Sequence, residues 1–557
     1  MLLKNKMIGR MIFLLLNFFN GAFLFAQSGD QVDFSVQYIR YVKIYRNDIF
    51  DTSQAKFQKF PFPLINKLHI KTHHRVIERE LLFNAGEPVD SLLLAESERN
   101  LRALKYIGSA QIVPVKVGAD STDVKVTVSD QWTTTVGTKY EVQGGYANYG
   151  IRLEEHNLLG WGQKIKFSVA QIDRRWQQEF SIQEKRLFNS WLQVGYELKN
   201  YEYGKLRGFY IKRPFFSVRT NWSAELTFNQ YNGQRTVYRN EIVHSRYHSN
   251  EMQWNARASY LLYQRANISG RFSFVYSQFN EAPNKIQFLN DEPVFDPHFD
   301  DNRMLGIGFD WINLRYIKES FVNNFGMVED ISLGSSGGFY LGKTLRYSGV
   351  NKYLWYVQGR LGHALKFANS LYLSADMRNY FYLNENNFEQ LVTQLEFKSY
   401  FNKFHSQTLA FNTRILLGWR MPPNRQLFLG ENRGIRGYAN YFRTGQKRVV
   451  INLEDRIYPR IFIYSFGIGA AVFTDVGYIW DGRYPVNWRK PFASAGLGLR
   501  IGNTKVRGAK VFRIDAAIVL TDDRAIMFSF GNSHYFSAFD AFDWLSQFPQ
   551  KYGEYRD

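Results

Sequence analysis

The sequence predicts an all-β transmembrane barrel preceded by a small α+β domain. Three observations carry this. Residues 135–536 alternate apolar and polar side chains in segment after segment, the two-residue period of extended chain. Aromatics make up 17% of the chain, with 48 Phe and 35 Tyr, which suits a surface that meets lipid. The N-terminus reads as a secretory signal, and after residue 27 no apolar run approaches the ~20 residues a spanning helix needs.

The signal comes first in the chain. Lys4, Lys6 and Arg10 make a basic start, "IFLLLNFFNGAFLFA" is apolar, and Ala26 precedes Gln27. Cleavage is expected there, with residues 1–26 removed. A membrane anchor is the alternative, but Asn17, Asn20 and Gly21 interrupt a run already short for a span. Cysteine is absent, which excludes disulfides, thiolate nucleophiles and a lipoprotein anchor. The net charge is +20, yet "KNK" near the start is the one dense basic run. The charge reads as Lys and Arg spread over strands and loops, and no nucleic-acid partner is expected.

Residues 27–132 differ from the rest. "YIRYVKIYR" reads as a strand, and "HHRVIERELLFNAGEPVD" as a short helix turning at Gly86–Glu87–Pro88. "SLLLAESERNLRALKYIG" reads as an amphipathic helix with Leu93, Leu94, Ser97, Leu101 and Leu104 near one stripe, ended by Gly108. "AQIVPVKVG" and "DVKVTVSDQW" follow as strands. The order β-α-α-β-β over ~95 residues makes a compact domain with helices on one sheet face. Residues 46–70 are an insertion without a clear pattern.

Residues 133–536 then supply the barrel. In "FASAGLGLRI", Ala493, Ala495, Leu497, Leu499 and Ile501 oppose Phe492, Ser494, Gly496, Gly498 and Arg500. In "YLSADMRNYFYL", Leu373, Ala375, Met377 and Phe381 oppose Ser374, Asp376, Arg378 and Tyr380; in "KIKFSVA", Ile165, Phe167 and Val169 oppose Lys164, Lys166 and Ser168. A soluble sandwich also alternates. Charges and glycines on the polar faces favour a hydrated lumen, and Trp480, Tyr478, Tyr380 and Tyr382 are expected as interfacial girdle residues. Residues 537–557 read as an extension beyond the last strand.

Two sets of residues carry a family resemblance. "ERELLFNAGEPVD" with "ESERNLRALKYIGSAQIVP" resembles a POTRA domain of the BamA/TamA superfamily of outer-membrane assembly and translocation proteins. In the barrel, Ile435-Arg436-Gly437-Tyr438 is similar to that superfamily's inward-loop motif. Phe473, Asp475 and Gly477 in "FTDVGYIW" are similar to its later strand motif, and "EEHNLLGWGQKIKF" to an early strand. The resemblance implies about sixteen strands, an extracellular loop folded into the lumen, and Arg436 at its tip bonded to Asp475. Alternation agrees with a lumenal Asp475, because Val476, Tyr478 and Trp480 lie on the opposite face. A lumenal carboxylate favours a guanidinium, which offers two donors. Separate solvated charges are the alternative. The lumen is expected to be partly hydrated, so the penalty for losing the pair is expected to be intermediate. Glu454 and Arg456 are expected as further lumenal charges.

Other constellations explain themselves more simply. His69, His73 and His74 read as a solvated helix start, and His244 and His248 lack the helical spacing of a zinc pair. Asp291, Glu292, Asp296, Asp300 and Asp301 read as an acidic loop, with calcium binding as the alternative. Gly496, Gly498 and Gly502 are strand glycines with no helix after them to cradle phosphate. No cofactor, metal site or catalytic arrangement is expected, and so no enzyme.

The resemblance implies residence in the bacterial outer membrane with residues 27–132 in the periplasm. The expected role is assembly, insertion or translocation of client proteins, with outer-membrane lipid, unfolded clients and periplasmic accessory proteins as partners. A secretion pore for one dedicated partner, or a passive structural barrel, are the alternatives. The seam is expected between "TKYEVQGGY" and "AIMFSFGNSHYF", weakened by Gly144, Gly145 and Gly531.

Overall fold

A computed structural model of the chain describes residues 37–531, apart from 144–145, 173–174, 240–241, 266, 289–301, 321, 323–327, 347–352, 368–369, 385–387, 405–406, 422–426, 465, 482–485, 504–510 and 522–525. The expected signal segment, the 537–557 extension, the acidic run 291–301 and seam residues Gly144 and Gly145 lie outside the described residues.

The N-terminal unit runs β1 (Tyr38–Asn47), α1 (Phe62–Leu68), α2 (His74–Glu78), α3 (Ser91–Ala103), β2 (Ile107–Lys116) and β3 (Ser121–Asp130). Its sheet has the order β1-β3-β2, with β1 parallel and β2 antiparallel to β3. Asp90 caps α3 by accepting from the Leu92 and Leu93 amides. The α3 stripe then buries Leu94 and Leu101 with Val76 and Ile77 against Val124, Val126 and Val128. Each such side chain contributes roughly 1.5–3 kcal/mol of burial. Gly108 does not end α3 as expected. The helix stops at Ala103, because Leu104 turns extended to enter the core, and Gly108 lies within β2. The 46–70 segment is ordered by its aromatics: Ile49, Phe50, Phe57 and Phe62 form a small second core with Ile65 and Trp132.

Six short barrel strands come next: β4 (Thr134–Gln143), β5 (Tyr146–Glu155), β6 (Lys164–Ile172), β7 (Arg175–Glu184), β8 (Gln193–Tyr201) and β9 (Gly204–Arg213). Five long ones follow: β10 (Trp222–Arg239), β11 (Ile242–Arg265), β12 (Ile268–Phe288), β13 (Asn302–Ser320) and β14 (Val328–Arg346). Then come β15 (Trp355–Phe367), β16 (Leu371–Leu383), β17 (Phe388–Phe404) and β18 (Gln407–Trp419). Two three-residue strands, β19 (Leu427–Leu429) and β20 (Arg443–Gly445), pair only with each other. The chain ends its described course with β21 (Lys447–Ile463), β22 (Phe466–Trp480), β23 (Phe492–Asn503), β24 (Phe512–Val519) and β25 (Ile526–Gly531).

Apart from β19 and β20, these strands form a closed antiparallel meander in which β25 neighbours β4. The ring holds twenty strands among the described residues, where the resemblance implies sixteen. The count exceeds sixteen because β4 to β9 are only 9 or 10 residues each, joined in pairs by two-residue links. Closure leaves neither β4 nor β25 as a free sheet edge.

The two faces separate as the alternation requires. Val136, Ile151, Phe167, Phe274, Leu497 and Phe528 lie on the outside, each more than half exposed, a band that suits hydrocarbon. The lumenal face carries paired charges: Arg235 with Glu251, Arg257 with Asp310, and Asp376 between Arg360 and Arg378. Tyr380 and Tyr382 are not girdle residues. They turn inward with Tyr340 and Tyr356 into an aromatic cluster, because the same alternation that puts Met377 outside puts Tyr380 inside.

Candidate functional site

The connection between β18 and β21, residues 420–446, starts at the end of the barrel opposite the N-terminal unit and folds into the lumen. Its neck is the β19–β20 pair, in register from Leu427↔Gly445 to Leu429↔Arg443. The tip, 430–442, is the glycine-rich run of the sequence. Gly437 has φ +85°, a left-handed conformation that favours glycine, and a Cβ there would sit 3.2 Å from that of Ala517. This turn presents Arg436 to the barrel wall.

Arg436 is fully buried. Its Nε and Nη2 donate to the two Asp475 oxygens at 2.7 and 2.9 Å, and its backbone amide donates to the same carboxylate at 3.1 Å. Its Nη1 donates to Glu454 at 2.8 Å and lies 3.4 Å from an Asp515 oxygen. The guanidinium carbon stands 3.5 Å over the Phe473 ring centre. Three carboxylates from β21, β22 and β24 thus converge on one cation.

The surrounding shell is also charged. Arg456 donates to Glu454 at 3.0 Å, Arg500 to Asp515 at 2.5 Å and to Glu454 at 3.3 Å, and Arg513 to Asp515 at 2.6 Å. Asn452 Nδ2 donates to Asp475 and to the Gly434 carbonyl, both at 2.7 Å. Four guanidinium groups face three carboxylates, and all but Arg513 have fully buried side chains. Such a network is held by mutual pairing against a large desolvation cost, so losing one member leaves an uncompensated buried charge.

The apolar motif residues seat the loop. Ile435 packs with Leu429, Tyr438, Val450 and Val519. Gly477 is the matching gap in the wall: a Cβ there would meet Ile435 Cδ1 at 2.1 Å. The Tyr438 hydroxyl accepts from the Ala493 amide at 3.2 Å and lies 2.5 Å from Thr521 Oγ1. The sequence singled out Ile435, Arg436, Gly437, Tyr438, Phe473, Asp475, Gly477, Glu454 and Arg456, and the structure brings all of them together. It adds Asp515, Arg500, Arg513 and Asn452. Their signal was present: "FRIDAAIV" places Arg513 and Asp515 on one face by alternation.

The opposite end of the lumen is occupied by the N-terminal unit. Arg102 donates to both Asp330 oxygens, at 2.9 and 2.6 Å, and also pairs with Glu98. Lys318 reaches the same Glu98. Glu96 accepts from Ser217 Oγ at 2.5 Å and from the Val218 amide at 3.1 Å, Asp90 pairs with Arg219, and buried Glu80 pairs with Arg186. Burial opposes the charge on Glu98, yet hydrogen bonds from Lys318, the Ile112 amide and Arg102 hold its carboxyl below the usual range. With the Arg79 guanidinium donating to the Trp161 carbonyl at 2.8 Å, these contacts reach the β5–β6, β7–β8 and β9–β10 turns and the β13–β14 strand ends, so α2 and α3 lie against the mouth.

At the seam, Tyr140 of β4 and Phe530 of β25 are in edge contact, with ring centres 5.6 Å apart. Gly531 ends β25. His69 is taken up by Asp130 at 3.1 Å, His73 stacks on Trp161, and His74 sits beside Glu78. Among the described residues no three His, Asp or Glu side chains converge as metal ligands.

No family model matches the chain, and no curated protein matches it. Solved structures similar to it include BamA from Haemophilus ducreyi lacking POTRA domains 1–3, at 12% identity over 90% of this chain and 84% of that one, with a TM-score of 0.38. CdiB from Acinetobacter baumannii is 12% identical over 89% of this chain and 73% of that one, with a TM-score of 0.42. CdiB from Escherichia coli is 10% identical over 91% and 92%, with a TM-score of 0.36.

Proposed function

We propose that this chain is an outer-membrane barrel of the BamA/TamA superfamily that assembles or translocates client proteins, with a POTRA-like N-terminal unit on the periplasmic side. The observation that carries the reading is the inward loop, whose Arg436 is locked to Asp475, Glu454 and Asp515. An ion-pair cluster of this size is more than a passive wall requires. It ties β21, β22, β23 and β24 into one stiff plate that stops one strand short of the seam.

Beyond the plate, the ring closes between β25 and β4. A stiff flank beside that junction directs any opening to the seam between β25 and β4. An opened pair of edges offers free N–H and C=O groups to an incoming strand. The periplasmic sheet edge at β1, beyond the Tyr38–Ile39 stretch that pairs with residues 86–89, offers the same chemistry to an extended client. Depletion of the protein followed by outer-membrane proteomics tests the reading. Loss of many barrel proteins supports an assembly role, and loss of one secreted protein supports dedicated translocation. An unchanged outer-membrane and secreted proteome contradicts both.

A further inference from the structure

At the N-terminal unit's end of the lumen, a cavity of about 260 Å³ lies between α3 and the adjoining ends of β9 to β13. Its wall is basic. Arg99, Lys212, Arg213, Arg257 and Arg271 line it, against one lining carboxylate, Glu225. Two of the cations have partners beside the cavity: Arg99 lies 3.3 Å from Glu96, and Arg257 lies 2.5 Å from Asp310. Lys212 and Glu225 stand opposite each other in the β9–β10 register. Arg213 gives Nη1 to the Trp222 carbonyl and stacks on that indole at 4.0 Å.

Arg271 is the residue that needs explaining. It is 4% exposed, lines the cavity, and lies 4.0 Å over the Phe215 ring centre. Asp310 is its cross-strand neighbour, but the hydrogen bond to that carboxylate comes from Arg257. Among the described residues no hydrogen bond or ion pair reaches Arg271, and its Nε is buried without an acceptor. A buried guanidinium without acceptors is costly, and its planar fork fits an oxyanion. Five cations stand against three carboxylates, Glu225, Glu96 and Asp310, leaving an excess of two positive charges. A phosphomonoester, with a charge of about −1.5 to −2 at neutral pH, balances that excess.

We propose that this cavity binds a phosphate-type anion, with Arg271 and Arg213 as its donors and Phe215 and Phe216 as its apolar flank. The site is separate from the loop cluster and does not rest on the assembly reading. Arg99 and Asn100 come from α3, so a bound anion bridges the N-terminal unit and the barrel. The same chemistry has two sources, a soluble phosphate compound and a phosphomonoester lipid headgroup.

Calorimetric titration of the full chain in a phosphate-free non-ionic detergent tests this. Inorganic phosphate and dihexanoyl phosphatidic acid are the probes. Saturable one-to-one binding is expected. Inorganic phosphate binding alone assigns the soluble source, and binding of phosphatidic acid only assigns a headgroup; both support the site. Arg271→Gln should weaken binding by about tenfold or more, as expected for loss of a charge-assisted bond. Arg175→Gln, outside the cavity, should leave it unchanged. Heat-modifiable gel mobility checks that each barrel is folded, and Arg213→Gln serves if Arg271→Gln is not. No saturable binding of either probe, or wild-type binding in the folded Arg271 or Arg213 variant, overturns the proposal.

Discussion

Arg436 is held by more than the one partner its sequence context implies. A single pair with Asp475 in a wet lumen predicts an intermediate penalty on loss. Full burial and three carboxylates move the cluster into the regime where removing one member of a pair costs roughly 3–5 kcal/mol. Arg436→Ala and Asp475→Ala should each displace the loop, read as new protease cleavage within 420–446 of the folded barrel. The double variant should be hardly worse than either, since both remove the same contact. Arg436→Lys should not restore the wild-type pattern, because lysine lacks the fork that engages both Asp475 oxygens. Simple addition of the two alanine effects would mean that the residues do not act together. A charge swap at 436 and 475 should fail as well, since a carboxylate at 436 would face Glu454 and Asp515. At the matching gap, Gly477→Ala puts a methyl where Ile435 already lies, so it should open the loop without changing any charge. A loop as protected as the wild type would show that Ile435 can move aside freely.

Alternation made the elements readable because it is local. The polar faces of "KIKFSVA" and "FASAGLGLRI" lie in the lumen, as their period requires. Arg436 and Asp475 were legible from motif and face together. What the sequence hid was set by distance. Glu98 meets Lys318 across 220 positions, and no pattern along the chain encodes that pairing. The strand count was hidden for a different reason, because two-residue links leave little trace between short strands. One element makes its own pH prediction. Beside the parallel β1–β3 pair, hydrogen bonds from Arg40 and Lys43 hold the Asp123 carboxyl at about 2. A carboxyl lowered in the folded state adds stability that is present above its unfolded value of about 3.9 and lost as pH falls through about 2. Pepsin cleavage in β1 should therefore rise between those values relative to Asp123→Asn, which lacks the stabilisation throughout. Equal pH profiles for the two proteins would remove Asp123 from that role.

The whole molecule combines a stiff sector, a seam beside it and a mouth covered by the N-terminal unit. The loop cluster fixes β21 to β24, and the docked unit holds the β5–β6, β7–β8 and β9–β10 turns on the other side. The seam between β25 and β4 lies between these two anchored regions, and in the proposed function it is the part that opens. The chain contains no cysteine, so a single engineered pair reports on this without background. Tyr140 and Phe530 are in ring contact across the seam, which makes Tyr140→Cys and Phe530→Cys the facing pair to test. The most direct measurement is the outer-membrane proteome of cells whose only copy carries both cysteines, compared under oxidising conditions and after reduction. The account predicts a disulfide in most copies, loss of client proteins while it persists, and recovery on reduction. Full client levels with the seam quantitatively cross-linked would contradict it.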